Sequence, residues 1–482
     1  MRALVALFVL FVIATLVATR AEPLAPTVTV EGIPDTVGRG TPMRVTAKDR
    51  GSGLAHVEVR LVPGDGGDAL VLARQDFPRT GWFGSGVHET TLAPALGANV
   101  PVPEGPAKLE VWATDHSWLS ALRRSPRYTR DVNVDVTPPA LGVLSKRHAP
   151  RVGGSELAVL KVGPDAADSG VQVGDVFFPA TAGFFKDPTL RAVLFAVPGS
   201  TPAAVPVAVA TDGAGNRAEV SLDVRVEPRK FAEKTLPIND AFLSRKVPEL
   251  LAANGLQDSG NLVDGYLRIN RDLRQATEAR IRELCRDSAP TTLWTESFLR
   301  MPAAPLSGFA DRRTYTHNGQ VIDHQTHLGY DLASLKNMPV PAANAGRVVF
   351  VGPLGIYGNV VILDHGVGLF SLYGHLSEIG VTQGAEVKRG DPIGKTGDTG
   401  LAAGDHLHFS MMIHGVHVDP VEWWDHHWIG DHVLARLAEY PKAPPPPPPM
   451  PAPTPAAAPT GAAAPTGAAA PAAAAPLGES SP

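Results

Sequence analysis

Histidine and aspartate side chains with metal-ligand spacing are concentrated in one part of this 482-residue chain. Twelve of its 16 histidines lie between His317 and His432, where an even spread would place about four. Three short motifs carry the candidate ligands: H-L-G-Y-D from His327 to Asp331, Y-G-H-L around His375, and H-L-H from His406 to His408. Two imidazoles and one carboxylate around a divalent ion, with water in the fourth position, form an open catalytic zinc site. Such an ion lowers the pKa of its bound water to about 7 and polarises a carbonyl group.

The elements that position these motifs have the pattern of a compact antiparallel β domain over residues 301–432. Strand-like runs such as R-V-V-F-V, N-V-V-I-L-D and L-F-S-L-Y alternate with glycine-rich turns. Side chains two residues apart point to the same face of a strand, so we expect His406 and His408 to face one groove. The four-residue spacing can bring Asp331 beside His327. Any one of these motifs could arise by chance in an unrelated sequence. Their order on successive predicted strands is what indicates a metal site.

The chain has a single cysteine, which excludes a disulfide framework, a thiolate zinc finger and an iron–sulfur cluster held within one chain. A metal must therefore be held by nitrogen and oxygen. The net charge of −5 provides no basic field for nucleic acid, and we predict no nucleic-acid partner.

The stretch from His327 through Pro420 resembles the lysostaphin/LytM-type zinc metallopeptidases, which cleave peptide cross-bridges or stem peptides of peptidoglycan. The shared segments are H-L-G-Y-D-L-A, P-V-P-A-A-N-A-G-R-V-V, G-N-V-V-I-L-D-H-G, L-Y-G-H-L, V-K-R-G-D-P-I-G, H-L-H-F and V-H-V-D-P. They cover about a fifth of the chain in one continuous run. The resemblance implies one Zn²⁺ per chain. It implies that the metal ligands are His327, Asp331 and His408. It also implies that the catalytic histidines are His375 and His406.

Two positions depart from the family pattern. The usual Gly-Pro before the H-L-H motif is Gly404-Asp405, and the usual acidic residue after H-L-H-F is Ser410. Asp405 places a carboxylate next to the site, where it could favour histidine protonation or bond to a metal ligand from outside. These departures bear on which substrate the site prefers more than on whether it binds a metal. The eight other histidines of the cluster we interpret as packing or surface residues.

The first half of the chain has the pattern of two β-sandwich modules, over residues 25–136 and 137–228. Short alternating strands are separated by turns rich in Gly, Pro, Asp and Asn. The triplet A-T-D, which ends at Asp115, recurs at Asp212. The D-x-x-P-P junction and the run A-T-D-G-A-G-N resemble bacterial immunoglobulin-like domains of exported proteins. Such modules bind ligands, or act as spacers that position a neighbouring domain. Their fold alone does not identify a ligand.

Three aspartates of these modules are candidate calcium ligands at a module junction: Asp49, Asp165 and Asp168. Surface turns use aspartate just as often, and we favour the turn interpretation.

Residues 229–300 form a predicted helical connecting segment. Its apolar stripe consists of Leu262, Tyr266, Ile269, Leu273, Ala276 and Leu284. The arginines and glutamates on the other faces predict a solvated surface, with contact to an anionic wall polymer as the alternative. Trp294 and Phe298 are expected to anchor the segment on the C-terminal domain. We interpret Cys285 as a packed residue and not a nucleophile.

The N-terminal end of the chain predicts export, and the C-terminal end predicts a disordered tail. Residues 1–21 read as a signal peptide cleaved after Ala21, or as an uncleaved inner-membrane anchor over residues 3–19. Either version puts the bulk of the protein in the periplasm or cell envelope. Residues 441–482 are rich in Pro and Ala, lack large apolar side chains and predict a disordered tail.

The sequence thus predicts a mainly β chain with two immunoglobulin-like sandwiches, a helical connecting segment and a C-terminal antiparallel β peptidase domain. The predicted function is zinc-dependent hydrolysis of peptide bonds in peptidoglycan cross-links or stem peptides. Other cell-wall proteins are candidate partners of the β modules, and the membrane is a partner if the N-terminal segment is uncleaved. The alternative is a non-catalytic protein that binds the wall or activates an amidase, against which the complete ligand set argues.

Overall fold

The computed structural model describes five positions between residues 7 and 15, together with residues 22–39, 41–79, 86–96, 102–123, 125–200, 204–333 and 335–444. The predicted signal peptide or anchor lies almost entirely outside the described residues, as does the predicted tail from residue 445 onward. In the part of the chain that is described, no helix is both long and apolar enough to span a membrane.

The N-terminal β module consists of two mainly antiparallel sheets with an apolar core between them. The strands are β1 (Thr27–Glu31), β2 (Thr36–Val37), β3 (Arg44–Lys48), β4 (Leu54–Pro63), β5 (Leu70–Asp76), β6 (Glu89–Leu92), β7 (Gly105–Asp115) and β8 (Tyr128–Val134). One sheet has the order β1-β3-β6 and the other β2-β8-β7-β4-β5. Alternation along β7 buries Leu109, Val111 and Ala113, which pack in the core with Val45 of β3 and Val59 of β4.

The second β module also has two sheets, but one of its strands is buried along nearly its whole length. The strands are β9 (Leu141–Val143), β10 (Ser155–Val162), β11 (Ala166–Val173), β12 (Val176–Pro179), β13 (Leu190–Ala196), β14 (Val207–Asp212) and β15 (Arg217–Ser221). They form sheets of order β13-β10-β9 and β12-β11-β14-β15. The run S-E-L-A-V-L-K-V of β10 is buried at every position except Lys161. Its continuous burial follows from a core that the module shares with the C-terminal region.

Three helices follow strand β16 (Glu233–Pro237): α1 (Asp240–Ala253), α2 (Leu262–Arg268) and α3 (Arg274–Leu284). Asn239 and Asn261 begin α1 and α2 by accepting backbone N–H bonds with their side chains. A π-helical turn, Ile269–Leu273, joins α2 directly to α3. The extra residue of this turn rotates the buried stripe by one position. Thr277 is therefore buried where the sequence predicted Ala276, which is exposed.

The helices share one apolar core with the C-terminal sheet. This core brings helical residues and strand residues together, among them Leu243, Tyr266 and Ile281 with Ile362 and Phe370. The ammonium of Lys246, which is buried on α1, donates to the Asp398 carbonyl at 2.6 Å. The helical segment is thus packed onto the sheet along its length.

The described residues of the C-terminal region form an eight-stranded sheet, a three-stranded hairpin sheet that includes β16, and a smaller three-stranded sheet. The strands are β17 (Ala304–Ser307), β18 (Arg312–His317), β19 (Gln320–Thr326), β20 (Tyr330–Ala333), β21 (Pro339–Pro341), β22 (Gly346–Pro353), β23 (Asn359–Gly366), β24 (Leu369–Gly374), β25 (Glu378–Ile379), β26 (Glu386–Val387), β27 (Pro392–Lys395), β28 (Leu407–Ile413) and β29 (Val416–Val418). The large sheet has the order β17-β20-β28-β24-β23-β22-β26, with β29 paired to β28.

A cluster of aromatic rings closes this region. Short helices follow the sheet: α4 (Pro420–Trp424), α5 (His426–Ile429) and α6 (Ala435–Ala438), with a π turn Gly430–Leu434 between the last two. The Trp423 ring contacts Trp294 and Phe298 at centroid distances of 5.8 and 5.6 Å. Pro441 and Ala443 then hydrogen-bond to the backbone of Lys186 and Phe184 in the second module. The prediction of a mainly β chain is confirmed by this arrangement of sheets.

Candidate metal centre and active-site groove

Strand register brings the candidate metal ligands together. Asp331 on β20 pairs directly with His408 on β28, and Gly374 at the end of β24 pairs with His408 from the other side. His327 precedes β20 in the connection from β19. A Cβ atom at Gly329 would lie 2.3 Å from His408 Nε2, so the connection can pass this close only with glycine at that position.

Three atoms of the predicted ligands converge on one point. His327 Nε2 and His408 Nδ1 each lie 3.0 Å from Asp331 Oδ1, and 3.2 Å from each other. The three residues are buried, at 3–5% exposure. They are one of two groups among the described residues whose ligand atoms could surround a metal ion.

Bonds on the far side of each imidazole decide which nitrogen faces the centre. His327 Nδ1 donates to the Gly308 carbonyl at 2.8 Å, which leaves the lone pair of Nε2 toward Asp331. Ser410 donates its hydroxyl hydrogen to the Leu328 carbonyl and accepts from His408 Nε2, which leaves the lone pair of Nδ1 toward Asp331. Two lone pairs and a carboxylate oxygen thus meet with no hydrogen between them, an arrangement that could hold a cation.

The pKa values agree with a deprotonated ligand set. Burial alone would raise the pKa of Asp331, but its electrostatic and polar interactions with His327, His406 and His408 hold it well below its usual value. Burial lowers the pKa of His408 to about 4. Metal ions bind neutral imidazole and ionised carboxylate, so these side chains are already in the form that a metal requires.

The two predicted catalytic histidines lie beside the three predicted metal ligands. His406 Nε2 is 3.6 Å from Asp331 Oδ1, and the ring centroids of His375 and His406 are 4.8 Å apart. His375 Nδ1 donates to the Thr399 carbonyl and His406 Nδ1 to the Gly404 carbonyl, both at 2.8 Å. Both imidazoles therefore turn Nε2 away from these carbonyls and toward the groove.

Backbone conformation and burial further define His375. Its φ of 62° lies in the left-handed region, which is uncommon for a residue other than glycine and is found preferentially at functional sites. Burial, followed by the charges of His406 and His408, lowers the pKa of His375 well below its usual value. For His406, burial lowers the pKa, but the hydrogen bond to Asp331 and its charge outweigh burial and raise it.

The five predicted residues lie in one groove of about 730 Å³. Helix α1 and strand β16 form one wall, and the ends of β24 and β28 form the other. Four cationic side chains line it: Lys234, Arg245, Arg274 and Arg313. Apolar side chains such as Leu236, Phe242 and Leu401 line the remainder. A groove of this size and composition can hold a peptide segment with anionic groups.

Several residues that support the site were not singled out from the sequence as parts of it. Arg313 on β18 donates to the second oxygen of Asp331 at 3.1 Å. The Tyr357 ring lies over the imidazole of His408 at a centroid distance of 4.9 Å, and its hydroxyl donates to Glu278 on α3. Both Arg313 and Glu278 lie outside the family-like stretch, where only their charge was available as a signal.

The two departures from the family pattern have different roles. Ser410 bonds to His408, a predicted metal ligand, as described above. Asp405 accepts from the Thr396 hydroxyl and the Asn337 backbone N–H, so its bonds stabilise the adjacent loops.

Among the other histidines, His365 is buried against Ala345 and Ser371, and His417 bonds to Glu278. The terminal histidines lie along the short helices that follow the sheet.

Comparison with known proteins finds a family match over the region that contains the five predicted site residues. The family model described as Peptidase family M23 matches residues 325–420. The DD-carboxypeptidase/endopeptidase Mpg of Neisseria meningitidis serogroup B is 42% identical over 95 residues, which are 20% of this chain and 22% of that protein. The peptidoglycan DD-endopeptidase ShyB of Vibrio cholerae is 34% identical over 116 residues, which are 24% of this chain and 26% of that protein.

A solved structure of the catalytic domain of lysostaphin from Staphylococcus simulans is 28% identical. The alignment covers 25% of this chain and 92% of the lysostaphin chain, with a TM-score of 0.22. The chain spans about a quarter of the length of the curated relatives it matches. The similarity therefore concerns one region, and that region contains all five predicted site residues. Residues 325–420 of this chain form a peptidase M23 domain.

Proposed function

We propose that the protein is a zinc-dependent endopeptidase that hydrolyses peptide bonds in peptidoglycan cross-links or stem peptides. One observation carries the proposal. Lone pairs of His327 and His408 and an oxygen of Asp331 meet within 3.2 Å, while the outer nitrogen of each ring is bonded elsewhere. Two imidazoles and one carboxylate suit Zn²⁺, and three protein ligands leave a position for water. The names of the relatives support peptidoglycan as the substrate.

Bound at these three residues, Zn²⁺ would supply Lewis-acid polarisation and a water molecule of lowered pKa. Asp331 is limited to one ligating oxygen, because Arg313 holds the other. His375 and His406 lie on the open side, where an Nε2 atom can accept the proton of the attacking water. The imidazolium formed in this way can then donate a hydrogen bond to the developing oxyanion. The cationic and apolar walls of the groove would bind the peptide strand on either side of the scissile bond.

The remaining parts of the chain we propose to serve export and positioning. Residues 25–136 and 137–228 are proposed as immunoglobulin-like modules, 229–300 as the helical segment and 301–432 as the peptidase domain. Residues 1–21 would direct export and 441–482 would form a tail, which places the enzyme in the periplasm or envelope. The shared core of the second module and the C-terminal sheet supports a positioning role. Other cell-wall proteins are proposed partners of these modules.

The test is digestion of purified peptidoglycan by the purified protein, with products identified by mass spectrometry. We expect one zinc per chain by elemental analysis, cleavage products, and loss of cleavage after chelation and in His408→Ala. His426→Ala, which alters an exposed histidine, is the matched control and should retain activity. Cleavage that survives both chelation and His408→Ala would contradict the zinc mechanism. Stoichiometric zinc with peptidoglycan binding but no products would favour the non-catalytic alternative.

A further inference from the structure

A second group of potential metal ligands lies in the N-terminal β module, far from the peptidase motifs in sequence. Glu22, Asp49 and Asp115 each place one carboxylate oxygen within 4.8 Å of the other two. Asp49 follows β3 and Asp115 ends β7, and these strands belong to the two different sheets of the module. Asp49 and Asp115 are only 5% and 3% exposed. An acidic cluster is common on protein surfaces, but this one is largely buried.

One oxygen of this group has no hydrogen-bond donor. Asp49 Oδ2 accepts from the backbone N–H groups of Gly53 and Gly51, at 2.6 and 3.1 Å. Asp49 Oδ1 is fully buried and has no partner among the described residues, and the hydroxyl of the adjacent Ser52 is likewise buried without one. A buried carboxylate oxygen without a donor is energetically costly unless a cation compensates it.

The loop backbone holds the carboxylate of Glu22 in place. The Ser52 N–H donates to Glu22 Oε2 at 2.7 Å. A Cβ atom at Gly51 would lie 2.1 Å from the same carboxyl group, so the loop leaves this space only because the residue is glycine. The carboxylate therefore occupies a cradle built by the turn between β3 and β4.

The ion pairs of the described residues leave the group with an excess of negative charge. Arg123 pairs with Asp115 Oδ2 at 2.7 Å and also donates to the Glu22 backbone carbonyl. Three carboxylates and this guanidinium sum to −2, since −3 + 1 = −2. A bound divalent cation would neutralise that sum.

The second module shows how the same motif is satisfied without an ion. Its A-T-D triplet ends at Asp212, whose Oδ1 accepts from the N–H groups of Ala214 and Asn216. Its Oδ2 accepts from the side-chain amide of Asn216. The residue four positions after Asp115 is Leu119, which offers no such amide. The N-terminal module has instead gathered two further carboxylates around its aspartate.

We propose that Glu22, Asp49 and Asp115 bind one Ca²⁺ ion, which ties the two sheets of the N-terminal module to the segment that enters it. All donors are oxygens, whereas structural zinc sites use sulfur and nitrogen. Oxygens on opposite sides of Ca²⁺ are about 4.8 Å apart, since the Ca–O distance is about 2.4 Å. Water or backbone oxygens would complete the coordination. Of the three aspartates considered from the sequence, Asp165 and Asp168 are exposed and belong to no such group among the described residues.

The test is calorimetric titration of Ca²⁺ into the zinc-loaded full chain, together with thermal unfolding in the presence and absence of Ca²⁺. We expect one Ca²⁺ per chain, with a Kd of about 10⁻⁴–10⁻³ M as in other extracellular modules, and an unfolding midpoint that rises with Ca²⁺. Glu22→Gln preserves an acceptor for the Ser52 N–H and should weaken binding about tenfold or more. Asp168→Asn removes an equal charge from an exposed site and should bind Ca²⁺ normally.

Asp49→Asn is the second variant, read by circular dichroism and by the same titration. The folded variant should also lose Ca²⁺ binding. Absence of Ca²⁺ binding to the wild-type chain would overturn the proposal, whatever the variants do. Unchanged affinity in Glu22→Gln would overturn it too, as would equal affinity for Mg²⁺, which requires a smaller and more regular oxygen shell. None of these measurements depends on peptidase activity.

Discussion

At the scale of single residues, the ligand atoms of the groove are oriented by partners that do not touch the metal position. His408 illustrates this, because the hydroxyl of Ser410 accepts from Nε2 and leaves the lone pair of Nδ1 for the proposed metal ion. Arg313 acts in the same way on Asp331, whose second oxygen it holds. Outer partners of this kind fix ring orientation and are often worth 10–100-fold in metal affinity.

We predict that Ser410→Ala lowers zinc affinity by about 10–100-fold, because His408 loses the acceptor that fixes its tautomer. Zinc affinity is measured by competition with a chromophoric chelator. Ser371→Ala is the matched control, since Ser371 makes an equally buried bond to His365 on a neighbouring part of the sheet. That control should retain wild-type zinc affinity. Equal loss in both variants would mean that Ser410 acts through general stability.

The common location of the five predicted site residues could be anticipated from the sequence, because they lie in short motifs in or next to paired strands. Their individual roles came from the family resemblance and stay predictions. Alternation correctly predicted a shared location for His406 and His408. The role of Ser410 could not be predicted, because its partner Leu328 is 82 positions away in the chain. Glu278 was assigned to a solvated helix face, since its contact with Tyr357 depends on how the helix packs on the sheet.

At the scale of elements, helix α3 supports the groove from behind. Glu278 accepts from the Tyr357 hydroxyl at 2.8 Å and bonds to His417 Nε2 at 2.9 Å. Burial would raise the pKa of Glu278, but the charge of His417 and these bonds hold it below its usual value. Tyr357 in turn packs against the imidazole of His408. A continuous series of contacts therefore runs from the helix to a predicted metal ligand.

Glu278→Ala is expected to destabilise the protein by about 3 kcal/mol, because it leaves buried His417 and Tyr357 without their partner. It should also weaken zinc binding, since Tyr357 loses its anchor beside His408. Chemical unfolding and zinc competition measure the two effects. Glu283→Ala, on the exposed face of the same helix, is the control and should change neither by much. If Glu278→Ala altered stability but left zinc affinity intact, the contact through Tyr357 would carry no influence on the site.

The helical stripe shows why the sequence predicted the presence of helices better than their packing. A period of 3.6 residues correctly indicates the helical run from Leu262 to Leu284. The π turn at Ile269–Leu273 shifts the register, and the buried position moves from Ala276 to Thr277. No residue in I-N-R-D-L forces a π turn by itself. The shift allows Ile281 to reach the core shared with the sheet.

At the scale of the whole molecule, the second β module and the C-terminal region are joined by a buried polar contact. Glu422 Oε2 accepts from the backbone and hydroxyl of Ser155 at 2.9 and 3.1 Å, and Trp423 Nε1 donates to the same hydroxyl. Glu422 Oε1 is buried and has no hydrogen-bond partner in the described part of the chain. Burial, and the charge of nearby Asp419, raise the pKa of Glu422 to about 8, although Arg229 and the Ser155 bonds oppose the rise.

The sign of the resulting pH dependence follows from the two states of this carboxyl group. Glu422 has a pKa of about 8 in the folded protein, against an ordinary value of 4.5. Between these values the folded state binds more protons than the unfolded state, so the free energy of unfolding falls as pH rises. The stabilisation is fully present below about pH 4.5 and is lost as pH passes through 8.

We therefore predict that Glu422→Gln removes this part of the pH dependence. Glutamine is neutral and similar in shape, so it should unfold at a higher temperature than the wild type at pH 9 and at a similar temperature at pH 5. Calorimetric scans of both proteins between pH 5 and 9 measure the difference. Glu439→Gln, at an exposed position nearby, should follow the wild-type curve. Parallel curves for wild type and Glu422→Gln would mean that Glu422 is ionised in the folded protein, and that the contact with Ser155 holds a charged carboxylate.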